Sequence, residues 1–224
     1  MSNLLVLCPS YKRPQQAREV LATFNATRTA DSYLMFAIGI KDSKAYEDLP
    51  IIVYPEWPMV ARSNRACAAL SGAYDYVGWI ADDNRFETEG WDAQVIAALE
   101  ATVRGGVVYG NDVVSPGSKP SHVFMDALIP RALGWFLHPQ LKSTFFDDVW
   151  EQIGRGLGTL RYLPDVRVNH LYVEKDNSLD FQHDMDVYQT WLRHDLDADL
   201  ARIRRALRSR RSSDRGKTLA PTGP

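Results

Sequence analysis

Asp82, Asp83 and Asn84 stand together just past an apolar run, Tyr76 to Ile80, with no turn residue between strand and carboxylates. Adjacent carboxylates at the end of a buried strand repel each other and are costly to desolvate unless a cation sits between them. Hard oxygen ligands of this kind suit Mg²⁺ or Mn²⁺, ions that commonly also hold substrate phosphates. The same residues also fit a polar turn whose side chains cap the next element. A second acidic pair, Asp147 and Asp148, opens a helical pattern, where the helix dipole favours acids whatever their chemistry. Two further polar segments close apolar runs: Pro9-Ser10-Tyr11-Lys12-Arg13-Pro14 after Leu4 to Cys8, and Lys41-Asp42-Ser43 after Leu34 to Ile40.

The elements that must position these residues alternate. Leu4 to Cys8 reads as a buried strand, and Ala17, Val20, Leu21 and Phe24 then recur at helical spacing, with Pro14 in the first turn where a missing N–H is harmless. Leu34 to Ile40 and the short Ile51 to Tyr54 are strands, and the Ala-rich Val60 to Leu70 is a helix by propensity. Tyr76 to Ile80 is the fourth strand, Trp91 to Val103 a helix, and Val107 to Tyr109 a fifth strand. Alternation of this kind predicts an α/β fold with a mostly parallel central sheet flanked by helices, and ligands beyond the carboxyl ends of the strands. Those ends carry Ser10, Asp42 and Asp82. In the second half, Val113 to His122 is a Pro-, Gly- and Ser-rich loop able to order over a ligand. Pro130 to Leu137 and Phe145 to Leu157 are helices, Leu160 to Tyr172 is strand-like around Pro164-Asp165, and Phe181 to about Arg210 is a long helical pattern. The expected organisation is a domain over 1–178, a helical extension over 179–211 and a disordered basic tail over 212–224.

Composition narrows the class. A chain of 224 residues with 45% hydrophobic content can bury one ordinary core. Two cysteines imply neither a disulfide framework nor a thiolate zinc site, and suit a reducing cytoplasm. Without a leader-like N-terminus or a span of roughly 20 apolar residues, no membrane association is expected. The formal net charge of −2 hides an asymmetry: from Arg202 onward there are eight Lys or Arg against one Asp, so the body carries −9 and the end +7. The body is no phosphate-backbone binder, but Arg208, Arg210 and Arg211 could form an arm for a polyanion, or simply the solvated face of a helix whose apolar stripe is Leu196, Leu200, Ile203 and Leu207.

Taken in order, Cys8-Pro9-Ser10-Tyr11-Lys12-Arg13-Pro14, Asp42, Ala61-Arg62-Ser63-Asn64, Asp82-Asp83-Asn84 and Phe146-Asp147-Asp148-Val149-Trp150 resemble the family 2 type glycosyltransferases of GT-A fold, over roughly residues 3 to 172. Gly90-Trp91-Asp92 after the acidic strand end is similar to small glycosyltransferases encoded by bacteriophages. The resemblance implies transfer of a sugar from a nucleotide-diphosphate donor, UDP first, to an acceptor hydroxyl, with inversion. It implies that Pro9, Ser10, Tyr11, Arg13, Asp42, Arg62, Asp82 and Asp83 meet the donor, and that Asp83, Asn84 and His170 hold Mn²⁺ or Mg²⁺. Asp148 would be the general base with Asp147 beside it. Asn84 departs from the family's Asp-x-Asp pattern, since an amide oxygen is a weaker ligand than a carboxylate. The phage-like features point to a modified DNA base or a virion protein as acceptor; the oligomeric state is not legible.

Two rivals have distinct signatures. A nucleotidyltransferase would carry a Gly-rich phosphate loop after the first strand, and Pro9 to Pro14 contains no glycine. An inactive module binding a nucleotide sugar or a partner is the other, kept open by Asn84 and opposed by the intact Asp147-Asp148 pair.

Overall fold

The computed structural model describes residues 2–102, 105–114, 116, 117, 119–171 and 178–218, with side chains in the last stretch from 180 to 210. The first strand, β1 (Leu4–Pro9), is buried along its whole length, as a strand covered on both faces must be. Alternate residues go to opposite sides: Leu5 and Leu7 to one core, Leu4, Val6 and Cys8 to the other. Around it lie α1 (Pro14–Thr27), β2 (Ser32–Gly39), a 3₁₀ segment (Ile40–Tyr46), β3 (Ile51–Tyr54), α2 (Met59–Leu70) and β4 (Tyr76–Trp79). Then follow β5 (Asn84–Phe86), α3 (Trp91–Glu100), β6 (Val107–Asn111), β7 (Val123–Asp126), α4 (Leu128–Leu133), α5 (Phe146–Leu157) and β8 (Leu160–His170). Helices α6 (Ser178–His194) and α7 (Leu196–Thr218) complete the described chain.

The strands form one eight-stranded sheet in the order β3-β2-β1-β4-β7-β6-β8-β5. Strands β3, β2, β1 and β4 are mutually parallel, as are β6 and β8, while β7 and β5 run against their neighbours. The mostly parallel α/β expectation holds. The two antiparallel strands are the departures from it: β5 is only three residues long, and β7 is buried throughout and so shows no alternating period. The pairing of β6 with β8 slips between Gly110 and Asn111, opposite the Pro164-Asp165 interruption.

The long C-terminal pattern is two helices. Leu200, Ile203 and Leu207 of α7 are buried in the core, and Leu200 approaches so closely that a Cβ on Gly156 would lie 2.4 Å from it. Gly156, near the end of α5, is what admits α7 there. Helix α7 also continues through 212–218, drawn from the sequence as disordered, while 219–224 lie outside the described residues, as do Val103 and Tyr172. Gly90-Trp91-Asp92 serves the packing of the fold. Trp91 is fully buried, and the buried Asp92 carboxylate accepts from Thr29 N at 2.8 Å, Ala30 N at 2.9 Å and Ser32 Oγ at 2.6 Å. Among the described residues no helix is long and apolar enough to cross a membrane.

Candidate functional site

Because β2, β1 and β4 are adjacent and parallel, their carboxyl ends open on one edge of the sheet, and the segments that follow them meet there. Ser10 Oγ donates to Asp82 Oδ2 at 2.8 Å and Arg13 Nη1 to Asp82 Oδ1 at 3.2 Å. Behind them the buried Tyr46 hydroxyl lies 2.8 Å from Ser10 Oγ and accepts from Arg13 N at 2.8 Å, which fixes the loop. Burial pushes the Asp82 carboxyl above its ordinary value, against the opposing pull of Ser10 and Arg13. Lys12 has a positive φ of 55° and leaves Tyr11 half exposed, its ring 4.9 Å from Lys12 Nζ.

Arg62, on α2, is buried, and its Nε has no hydrogen-bond partner. Burial lowers its pKa, with Glu56 and Asp42 pulling the other way. Asp42, in the 3₁₀ segment, has a buried Oδ2 that likewise lacks a partner. Two cavities adjoin here and share Tyr11, Met59 and Arg62. One, of about 250 Å³, has Pro9, Ser10, Arg13, Trp79 and Asp82 on one side and Ser143 and Phe146 on the other. The second, of about 440 Å³, opens past Glu56 and Trp57. Trp79 Nε1 is a further buried donor without a partner. Of these groups, those of Arg62 and Trp79 belong to residues lining the cavities, while others, such as Trp91 Nε1 and Trp150 Nε1, lie in the core.

The next turn sorts Asp83 from Asn84. Asn84 Oδ1 accepts from Ala81 N at 2.7 Å, so the amide oxygen that the sequence offers to a metal is engaged by its own turn. A short amide is well placed for this, because the tight bend after β4 leaves the Ala81 N–H unpaired in the ladder. Asn84 instead pairs β5 with His170 on β8. That pairing sets His170 Nε2 3.1 Å from Asp83 Oδ1, and His170 Nδ1 3.7 Å from Oδ2 of the buried Asp112. Among the described residues no three His, Cys, Asp or Glu side chains form a ready metal cage. A carboxylate and an imidazole with a second carboxylate behind it do fit a divalent ion whose remaining ligands are diphosphate oxygens and water. His122, buried nearby, accepts from Gly110 N at 3.0 Å through Nε2, and burial lowers its pKa to about 4, so it stays neutral.

Asp147 and Asp148 occupy the first turn of α5, entered through Phe145 at a φ of 64°. Asp148 Oδ1 receives Lys119 Nζ at 2.7 Å from the loop between β6 and β7. Burial, then the neighbouring Asp148, raises the Asp147 carboxyl to about 6, with Lys119 opposing. One carboxyl of the pair is thereby set near neutrality, where a general base is effective.

Sequence reasoning passed over Tyr46, Asp112, Lys119 and Ser143. Asp112 carried a usable signal, since it follows β6 as Asp42 and Asp82 follow β2 and β4. Lys119 lies in the loop expected to order over a ligand. Tyr46 and Ser143 had no local signal. At the basic end, the exposed Arg210 bonds the buried Asp126 at 3.0 and 2.6 Å. The side chain of Arg211 lies outside the described residues.

No protein family is matched by the sequence, and no curated protein matches it either. The fold is shared with solved glycosyltransferases. S. aureus TarS superposes with a TM-score of 0.63 at 12% identity, over 87% of this chain and 40% of that one. Its 1–349 fragment in complex with UDP gives 0.58 at 9% identity, over 87% and 73%. The mannosyltransferase PcManGT from Pyrobaculum calidifontis, in complex with GDP-Man and Mn²⁺, gives 0.60 at 12% identity, over 93% and 75%. This chain thus spans less than half of TarS. What is shared at such identity is the GT-A-like architecture.

Proposed function

We propose that the protein is a glycosyltransferase that moves a sugar from a nucleotide-diphosphate donor to an acceptor hydroxyl. The observation that carries this reading is that one cavity is walled by Asp82, Ser10 and Arg13 on one side and by Ser143 and Phe146, the residues leading into Asp147-Asp148, on the other. A nucleotide-binding edge and a base-bearing helix thereby face one space. The fold shared with transferases that bind UDP or GDP-Man supports it.

In this reading Tyr11 offers a ring to the nucleobase, Asp42 and Asp82 accept from base or ribose, and Arg62 and Arg13 face the diphosphate. Asp83 and His170 would hold Mn²⁺ or Mg²⁺, which when bound neutralises charge on the departing diphosphate. The acceptor oxygen forms a bond to the anomeric carbon as the bond from that carbon to the phosphate oxygen breaks. The bonding pair leaves with the nucleoside diphosphate, and the acceptor proton passes to the Asp147-Asp148 pair, with Asp148 as the base. Lys119 must then move from Asp148, or turn with it, when an acceptor enters. Displacement of this kind inverts the anomeric carbon. For an acceptor on DNA or a virion protein, the basic end from Arg208 onward would supply the polyanion contact, with Arg210 also held by Asp126.

The test is a thermal shift against UDP-, GDP-, ADP- and CMP-sugars with Mn²⁺, Mg²⁺ or EDTA, because a ligand bound by the native state alone raises Tm. The expected outcome is a shift for one donor that is lost in Asp82→Ala. Absence of any shift would sink the reading. A shift without hydrolysis or transfer would favour the inactive binding module, the reading that Lys119 covering Asp148 supports.

A further inference from the structure

The loop 142–145 brings Ser143 to the cavity wall and delivers the chain to α5. Three consecutive backbone N–H groups there converge on one carboxylate from α6. Asp184 accepts from Lys142 N at 3.0 Å, Ser143 N at 2.8 Å, Thr144 N at 2.9 Å and Thr144 Oγ1 at 3.1 Å. It is fully buried, and His183 Nδ1 lies 3.0 Å from its Oδ1. Burial alone would raise its pKa, but the N–H of Ser143 first, then His183, Thr144 and Lys142, bring it below the ordinary value.

Other contacts from α6 reinforce the same loop. The Phe145 ring stacks on Tyr188 at 5.4 Å and 12°, and meets Phe181 at 5.3 Å. Lys142 Nζ donates to Asp180 at 3.1 Å. Phe145 is held in the left-handed region, which non-glycine residues seldom occupy, and no side chain caps the helix it begins. Successive backbone N–H groups of this kind form an anion nest, and bonds to an ionised acceptor are the strong ones. The body of α5 has its own anchorage, with Val149, Trp150 and Ile153 in the core. Helix α6 also buries Trp191 in the core, but the bonds of Asp184 itself fall on the turn that aims the first residues of α5.

We propose that Asp184 is a positioning residue for the active site: by filling the nest at 142–144 it fixes the turn at Phe145, and with it the placement of Ser143 and the direction in which α5 presents Asp147 and Asp148. Helix α6 therefore supports the placement of the site. The effect on turnover rests on the transferase reading; the effect on the carboxyl pair does not.

The experiment compares full-length wild type with Asp184→Asn and Asp184→Ala, well below each Tm, by hydrolysis of UDP-GlcNAc and GDP-mannose and by ¹³C NMR titration of the Asp147-Asp148 carboxyls. We expect kcat to fall on the order of 100-fold, the scale of a misplacement of about 1 Å. KM should change little, since most of the donor cavity is built on other elements. The higher carboxyl titration should drop from about 6 towards the ordinary range. Formate, which fits the emptied nest, should restore part of kcat in Asp184→Ala but not in Asp184→Asn. Variants with lowered Tm but wild-type kcat and an unchanged carboxyl titration would overturn the proposal and leave Asp184 as structural support. Should wild type hydrolyse neither donor, the transferase reading loses ground, and the titration alone still decides the role of Asp184.

Discussion

The two walls of the cavity are built on different principles. In the proposed reading the nucleotide side carries Ser10 and Asp82, each close after a parallel strand, with Asp42 placed likewise after β2 but outside the cavity lining, so the register of β2, β1 and β4 is enough to gather them. On the base side, each functional group depends on a partner distant in sequence. Asp148 meets Lys119 from the β6–β7 loop, the turn into α5 is fixed by Asp184, and His170 reaches Asp83 only because β8 pairs with β5. The nucleotide wall is therefore a property of the sheet, while the base wall is a property of contacts laid over it. The base wall should accordingly be the more sensitive of the two to single substitutions remote from the substrate.

Four substitutions probe that contrast, beginning with the most damaging. Asp148→Asn should lower transfer by about 10²- to 10⁴-fold, the range for loss of a positioned base, while the donor-induced rise in Tm persists. Initial-rate kinetics beside a thermal-shift titration check both, and loss of donor binding instead would mean that the two walls are not separable. Next, Asp112→Asn should weaken Mn²⁺ binding about 10- to 100-fold through the orientation of His170, as second carboxylates behind metal-bound histidines do. Electron paramagnetic resonance with Mn²⁺ and UDP reads this directly, and His170→Ala should weaken binding at least as much.

The mildest effect is on stability. The Asp147 carboxyl has a folded pKa raised to about 6, above its unfolded value, so the folded state holds the proton more tightly. Stability from this group is present below the unfolded value near 4 and is lost as pH rises through about 6. Asp147→Asn should therefore be more stable than wild type by about 1–2 kcal/mol at pH 8, allowing for partial exposure, with the difference vanishing near pH 4. Denaturant melts at the two pH values measure it. A gain that is the same at both would assign the effect to packing rather than charge.

Much of the nucleotide wall was legible in the chain because its information is local. Apolar runs of β-forming residues ending in Ser10, Asp42 and Asp82 specify strand, edge and polar group in a few residues, and the parallel fold then follows from alternation. Asp147-Asp148 was visible as an acidic pair opening a helix, but not its environment. Strands β5 and β7 show no alternating period, so the antiparallel part of the sheet left no trace, and the meeting of Asp83 with His170 was reached only through the resemblance. Asn84 shows the limit most clearly. Its type suggests a metal ligand at a family position, yet the geometry of the turn draws its oxygen to Ala81 N.

The linear order of residues was enough for the layered α/β scaffold and for the order in which polar groups arrive at its edge, since both depend on hydrophobic period and strand length. Packing in three dimensions decided which partners those groups take: Asp83 on His170, the Asn84 oxygen on Ala81 N, Arg210 on Asp126, and Asp184 under the turn into α5. These outcomes turn on which buried donor or acceptor finds a partner across the chain, and a group's need for a partner is written in its residue type while the partner's identity is not.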